Sequence, residues 1–475
     1  MYDVAIVGGG MAGMCAAARV QARGLTTIVF EAHGQPGGCA GFFRRKGFSF
    51  DVGATTLVDF EPGGIGGDLL QEIGMTQFEQ EVLPGYAAWL PDRRVTLYRQ
   101  RDQWERERLE KLGGSARHVR FWKLLDRLAE VFWRASRRGL ALPLRGVQGM
   151  RRVLGTIAPR DYPLLRYSEW TMGDVLSRFR LREDTALVGL LSMLIEDTVH
   201  STIDRAPSIN SALGINIRGA GVSRAVVGMR GFWRSFTSHF RTLGGELRVG
   251  CPVSEIERLR SGFRVHTRRG IFECDQIVSA LPANLTAQIA PQAVRNELQP
   301  SLDRDAQAQG GAIVVFLGVP EDEVMGHEFT HHQILESYQR PLGNGNNMFI
   351  SVSQRGDSDS APEGCRAVMV STHCDLEPWE NLPEDVYQRE KQAVGERLLS
   401  SARRVYPNLG RSPLVCEVAT PRTYRRFTRR VRGAVGGVRQ SILNNNQNAL
   451  GCETKLPGFW MVGDSTWPGL GTVAC

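Results

Sequence analysis

One stretch at the start of the chain leaves few choices of fold. The apolar run Asp3 to Val7 leads into Gly8-Gly9-Gly10-Met11-Ala12-Gly13. Residues Met11 to Arg23 then carry helical spacing up to a stop at Gly24, and Thr26 to Phe30 is a second apolar run closed by Glu31. A strand, a glycine turn, a helix and a second strand in that order predict a βαβ unit of a parallel sheet. Ala12, Ala16, Ala17 and Ala18 are small enough to let the helix lie close on that sheet. The glycines have separate tasks in such a turn: Gly8 allows the sharp reversal, Gly10 lets a pyrophosphate approach the backbone, and Gly13 lets helix and strand touch. The helix N-terminus, at Met11 and Ala12, then faces the phosphates. Glu31 stands where a carboxylate accepts from a ribose hydroxyl and disfavours a 2′-phosphate, so the pattern predicts FAD or NAD rather than NADP.

The next segments decide between those two. Pro36-Gly37-Gly38-Cys39-Ala40-Gly41 and then Gly47-Phe48-Ser49-Phe50-Asp51-Val52-Gly53-Ala54 follow the first turn closely. They resemble the second glycine cluster and the following strand of the amine oxidase and phytoene desaturase superfamily of flavoproteins. That resemblance implies FAD, with Gly38 and Thr55 bordering the flavin. Two distant segments extend it. Gly228-Met229-Arg230-Gly231-Phe232, with a helix, the Gly244-Gly245 stop and Val253 after it, resembles the family's middle stretch, in which the residue matching Val253 meets the adenine side through its backbone. The run Phe459 to Thr472, with Gly463-Asp464 and Pro468-Gly469-Leu470-Gly471, resembles the terminal strand and loop. The resemblance implies that Asp464 accepts from a ribityl hydroxyl and that backbone at Gly471, Thr472 and Val473 faces the flavin edge where negative charge develops on reduction. The family pattern continues into a helix that supports the flavin ring, whereas this sequence stops at Cys475. The expectation is that such a helix is missing from these residues or supplied by something else.

Thr420-Pro421-Arg422-Thr423-Tyr424-Arg425-Arg426-Phe427-Thr428, with Gly433, Gly436 and Gly437 beyond it, is similar to a signature of carotenoid desaturases and prolycopene isomerases, closest to the C-3′,4′ desaturases and the isomerases. The resemblance implies an FAD-dependent oxidoreductase that desaturates a carotenoid or other polyene dissolved in membrane, by passing a hydride to flavin N5. Carotenoid cis-trans isomerisation on the same scaffold is the nearest alternative. A flavin amine oxidase and a non-catalytic isoprenoid-binding protein of the same fold are the others. Little in a hydrocarbon can be polarised by side chains, so orientation and exclusion of water should contribute most of the catalysis. No catalytic base is legible.

The expected class is α/β, with a Rossmann-type FAD domain interleaved with a substrate domain of mixed sheet and helices. Its cofactor parts are residues 1–100, 216–284 and 421–475; residues 101–215 form a helical substrate- or membrane-facing region and 285–420 a substrate domain. Within these, helix Phe232 to Leu243 and strands Ile271 to Cys274 and Gln276 to Ala280 belong to the middle cofactor part. No run reaches the roughly 18 to 20 apolar residues of a spanning helix, the longest candidate being Ala312 to Pro320, and no leader pattern precedes the first strand. These features predict a cytoplasmic enzyme bound peripherally to membrane. Nine cysteines without a C-x-x-C pair suggest no zinc ribbon or dithiol centre.

The formal charge of +8 suits an anionic surface. In Phe132 to Arg166 the residues Arg134, Arg137, Arg138 and Arg145 alternate with Trp133, Leu140 and other apolar residues, a pattern that suits a segment lying on lipid and equally a solvated helix face. No nucleic-acid motif accompanies the charge. Thr185 to Ile195 reads as core or as the wall of a hydrocarbon tunnel. His327-Glu328-Phe329-Thr330-His331 spells H-E-x-x-H, which binds zinc on a helix. Gly326 before it, Thr330 within it and the lack of a third ligand at a recognised spacing predict a strand or loop and no metal.

Overall fold

Val4 to Val7, Thr27 to Phe30 and Ile277 to Ser279 are almost wholly buried, the pattern of strands covered on both faces of a parallel sheet. A computed structural model, which describes residues 1–76, 79–144, 146–217 and 221–469, assembles them so. Tyr2–Val7 lies between Thr27–Phe30 and Gly270–Ser279, all parallel; Glu246–Arg248 extends one side and Phe459–Met461 the other. The first, middle and last parts of the sequence thus meet in one sheet. Gly270–Ser279 is a single strand where two were expected. Its first half pairs antiparallel with Phe263–Thr267, and its second half passes over to Tyr2–Val7.

The helix expected from Phe232 begins earlier, at Gly228, and runs to Thr242. The Asp51 carboxylate accepts the Met229 N–H at 2.8 Å, which caps the added turn. Phe232, Phe236 and Phe240, four residues apart, fall on one face and pack with Ile6 and Met14 under the sheet.

The second sheet has the order Val415–Ala419, Gly311–Pro320, Cys365–Cys374, Asn347–Val352, His331–Leu335, Gly85–Trp89, Arg94–Tyr98. Gly311–Pro320, which holds the longest uncharged apolar run, is an inner strand paired on both sides. Its alternation divides two cores: Ile313, Val315, Leu317 and Val319 pack under the helix Glu384–Ala402, while Ala312, Val314 and Phe316 face the other way. Residues 85–98, grouped by sequence with the first cofactor part, bond into this second sheet, because Gly85–Trp89 runs parallel to His331–Leu335.

The helices Arg101–Leu112, Ala116–Arg137, Gly146–Thr156, Met172–Arg178, Thr185–Val199 and Ser208–Ile217 form a third body around Phe121, Trp122, Leu190, Leu191 and Leu194. Among the described residues no helix is long and apolar enough to cross a membrane. The arginine-rich segment turns its apolar side into this body. Phe132 and Leu140 are buried and Trp133 packs against the same core, so the apolar residues point inward. Arg134 and Arg127 neutralise Asp161, which is 2 % exposed, and Arg137 pairs with Asp59 at 3.1 Å. Arg138 is exposed, and Arg145 lies outside the described residues.

Candidate functional site

A single cavity of about 1110 Å³ runs from the first glycine turn to the second sheet. Gly8, Gly10, Met11, Ala12, Glu31, Gly38, Thr55, Val253, Gly463 and Asp464 all line it. Gly13 does not, and its task is the packing one: a Cβ there would sit 2.0 Å from the Gly8 carbonyl oxygen. Gly8 has φ +106, a region open to glycine. Gly10 is different again, since a Cβ on it would meet nothing within 4 Å. That free space adjoins a helix start with no side-chain cap and no acid in its first turn, so the N–H groups there are open to an anion. Gly471, Thr472 and Val473 lie outside the described residues.

Glu31 is held from two sides. Its carboxylate accepts the N–H groups of Gly9 and His33, each at 2.7 Å, and its carbonyl accepts from Cys251 at 2.8 Å, which brings Pro252 and Val253 to the cavity wall. Burial raises its pKa against those two bonds. The second glycine cluster is clamped on the first: Gly37 N–H donates to Gly9 O at 2.8 Å, and Trp233 Nε1 donates to Ala40 O at 2.7 Å. Asp51 is the other clamp, tying the strand Phe48–Asp51 to Met229 and standing 3.6 Å from Arg224. Its burial lifts its pKa to about 6, opposed by Arg224 and the Met229 N–H. These residues fit an extended dinucleotide: a part-buried carboxylate, an open helix end and a glycine floor border one cavity.

Sequence reasoning missed several residues. Arg430 pairs with Asp464 at 2.5 Å and donates to Gly436 O at 2.7 Å, so the carboxylate expected at the ribityl chain already has a cationic partner. Arg430 was hidden in a run of arginines. On the ligand side, Thr55 Oγ1 and Ser351 Oγ are 3.3 and 3.2 Å from His331 Nε2. Glu196 accepts from His373 Nδ1 at 2.8 Å and Asn347 Nδ2 at 3.0 Å. The helix Thr185–Val199 is therefore core along most of its length and cavity wall at Met193, Glu196, Asp197 and His200. Two acids closing an otherwise uncharged helix were the available signal. The H-E-x-x-H run is not helical. His331 lies in a strand, and His327 Nε2 donates to Val405 O at 2.6 Å beside Trp89 and Tyr406.

The model of flavin-containing amine oxidoreductases matches residues 11–466. The chain belongs to that family. It is an FAD-dependent oxidoreductase, with FAD as the cofactor its dinucleotide cradle fits. This flavoenzyme is 24 % identical over 494 residues to the chloroplastic prolycopene isomerase of Daucus carota, covering 100 % of the chain and 78 % of the relative. It is 23 % identical over 488 residues to the 4,4'-diapolycopene oxygenase of a Methylomonas species, covering 98 % and 94 %. In fold it is similar to the cyclohexylamine oxidase of Brevibacterium oxydans, with a TM-score of 0.61 at 15 % identity over 100 % of this chain and 96 % of that one.

Proposed function

We propose that this flavoenzyme acts on a carotenoid or similar polyene and desaturates it. The observation that carries the reading is the apolar wall across the cavity from the glycine turn. Ala312, Val314, Phe316, Met348, Phe349 and Met369 line it, a surface suited to a hydrocarbon. When bound, FAD supplies a hydride acceptor. Gly8, Gly10, Glu31 and Asp464 hold and orient it, and the sheet wall aligns the chain of the ligand and excludes water. Likeness to a prolycopene isomerase along the whole chain favours isomerisation as the second reading.

The test is to incubate the FAD-loaded protein with lipid-dispersed polyene. Desaturation moves the absorption to longer wavelength with loss of two hydrogens, whereas isomerisation conserves mass. An unchanged polyene together with hydrogen peroxide release from simple amines overturns the polyene reading.

A polyene has to enter from lipid, which bears on where the enzyme docks. The cavity lining that is exposed to solvent includes Arg44, Arg45, Arg426, Arg429 and Phe427, which is 53 % exposed and has the Arg426 guanidinium 5.5 Å from its ring. Exposed cations and an exposed aromatic suit an anionic bilayer surface. This rim replaces Phe132 to Arg166 as the docking face in our reading.

A further inference from the structure

Where the cavity passes the end of the helix Thr185–Val199 it meets a cluster that the cofactor cradle leaves unused. Glu196 and His200 lie four residues apart, one turn, and His373 reaches them from the strand Cys365–Cys374. The His373 ring donates through Nδ1 to the Glu196 carboxylate, 2.8 Å away, and the His200 ring stands edge-on to it with centroids 4.8 Å apart. All three line the cavity. His200 caps the helix with its backbone in the left-handed region, φ +54 and ψ 32, which asparagine, aspartate and histidine enter more often than other residues with side chains. Its ring makes no hydrogen bond to any described residue.

The cluster adjoins the cofactor side. A Cβ on Gly436 would lie 2.4 Å from His200 Nε2, and one on Gly437 would lie 2.2 Å from the Asp464 carbonyl oxygen. Two glycines in succession therefore let a histidine and the Gly463-Asp464 turn close on one loop. Burial lowers the His200 pKa to about 4, and the positive charge of His373 adds to this. Glu196 and Asp464 oppose the shift, and Arg439 reinforces it. Arg430 offsets Asp464. Glu196 itself is held ionised by His373 despite its burial. The cavity thus carries a neutral imidazole beside a fixed carboxylate.

We propose that His200 is the catalytic base of the desaturation, with Glu196 and His373 as positioning residues. The proposal rests on the polyene desaturase reading above. The hydride and the proton leave in one coupled step: as one C–H hydrogen departs with both bonding electrons to the flavin, the neighbouring C–H bond breaks heterolytically, its electron pair becomes the new C=C π bond and its proton goes to an unprotonated ring nitrogen of His200. The positive charge that builds on the conjugated chain makes that C–H acidic, so a base as weak as this imidazole suffices. Being neutral, it does not repel that charge, and the Glu196 carboxylate stabilises it.

The full chain loaded with FAD is compared with His200→Gln and His373→Gln, using a partly saturated acyclic carotenoid dispersed in phosphatidylcholine as the probe. Quenching of flavin emission measures binding, and anaerobic bleaching of the flavin measures hydride loss. Ring ¹⁵N spectra of histidine-labelled parent report His200 directly, without turnover. His200→Gln should bind the polyene as the parent does and bleach at least about 100-fold more slowly. The parent's bleaching should fall away only near pH 4, and His373→Gln should move that edge upward by removing the cationic neighbour. The His200 ring signal should shift when polyene is added. Bleaching of His200→Gln within about threefold of the parent overturns the base assignment, as does a His200 signal that ignores the polyene, which keeps the test sound should the variant fail to fold. A parent that binds the polyene and never bleaches overturns the desaturase reading itself, and the base with it.

Discussion

The two halves of the cavity are built from different material. The cofactor half is mostly backbone: Gly8 and Gly10, the open helix start at Met11, and Gly37 bonded to Gly9. The ligand half is side chains, with Thr55, Glu196, His331, Asn347 and His373 arriving from a loop, a helix and three strands. A backbone cradle needs residues without side chains at fixed spacing, which a few neighbouring positions can supply. A side-chain cluster needs distant residues brought into register, here by the antiparallel pairing that sets Phe349 opposite Ser371 and His331 opposite Ser351. The first is robust to everything except bulk at the glycines; the second depends on the whole second sheet.

The sharpest way to break this contrast is within the glycine turn. Gly13→Ala would place a Cβ 2.0 Å from a backbone oxygen that cannot yield, and is expected to abolish FAD retention and to lower stability by about 3 kcal/mol. Gly10→Ala meets nothing in the protein, so its unfolding free energy should stay within about 1 kcal/mol of the parent's while FAD binding weakens. Denaturant unfolding and flavin content after gel filtration measure both, and equal stability loss in the two variants would refute the division of labour between these glycines.

Asp51 joins the two halves and sharpens the comparison through pH. Its folded pKa of about 6 lies above the ordinary 3.8, so the folded state holds a proton there that the unfolded state has released. Its contribution is therefore fully present below about pH 4 and is lost as pH rises through 6. Relative to Asp51→Asn, the parent should gain up to about 3 kcal/mol between pH 7 and pH 4. A difference that stays flat across that range would show that Asp51 is ionised throughout.

At the ribose, Glu31→Ala should weaken FAD binding by about 1.5–3 kcal/mol, the range for a hydrogen bond to a charged group. Titration of apoprotein with FAD measures it, and unchanged affinity would remove Glu31 from the ribose. The smallest expected effect per residue is at the rim. Changing Arg44, Arg426 and Arg429 to Gln should weaken binding to anionic vesicles by about 1 kcal/mol per residue, with the flavin retained and the difference fading as salt rises. Equal co-sedimentation at low salt would place the docking face elsewhere.

What the sequence by itself determined was the cofactor half. Gly8, Gly10, Gly13 and Glu31 stand within one βαβ unit, so local spacing alone sufficed for the glycine turn, the parallel strands that flank it and a dinucleotide as the class of ligand. The segments at Val253 and Asp464 were legible by resemblance to a flavoprotein family. Only the tertiary structure decided the rest. Arginines that read as a lipid-facing surface became partners of Asp161 and Asp59, because helical periodicity turned their apolar neighbours into the core. Asp51 became the clamp that starts a helix more than 170 residues away, through a bond between residues separated by 178 positions. Glu196, His200 and His373 became one cluster because the end of one helix meets the strand Cys365–Cys374 beside Gly436. None of these follows from local pattern, since a charged side chain acquires its meaning from the partner that the fold places against it.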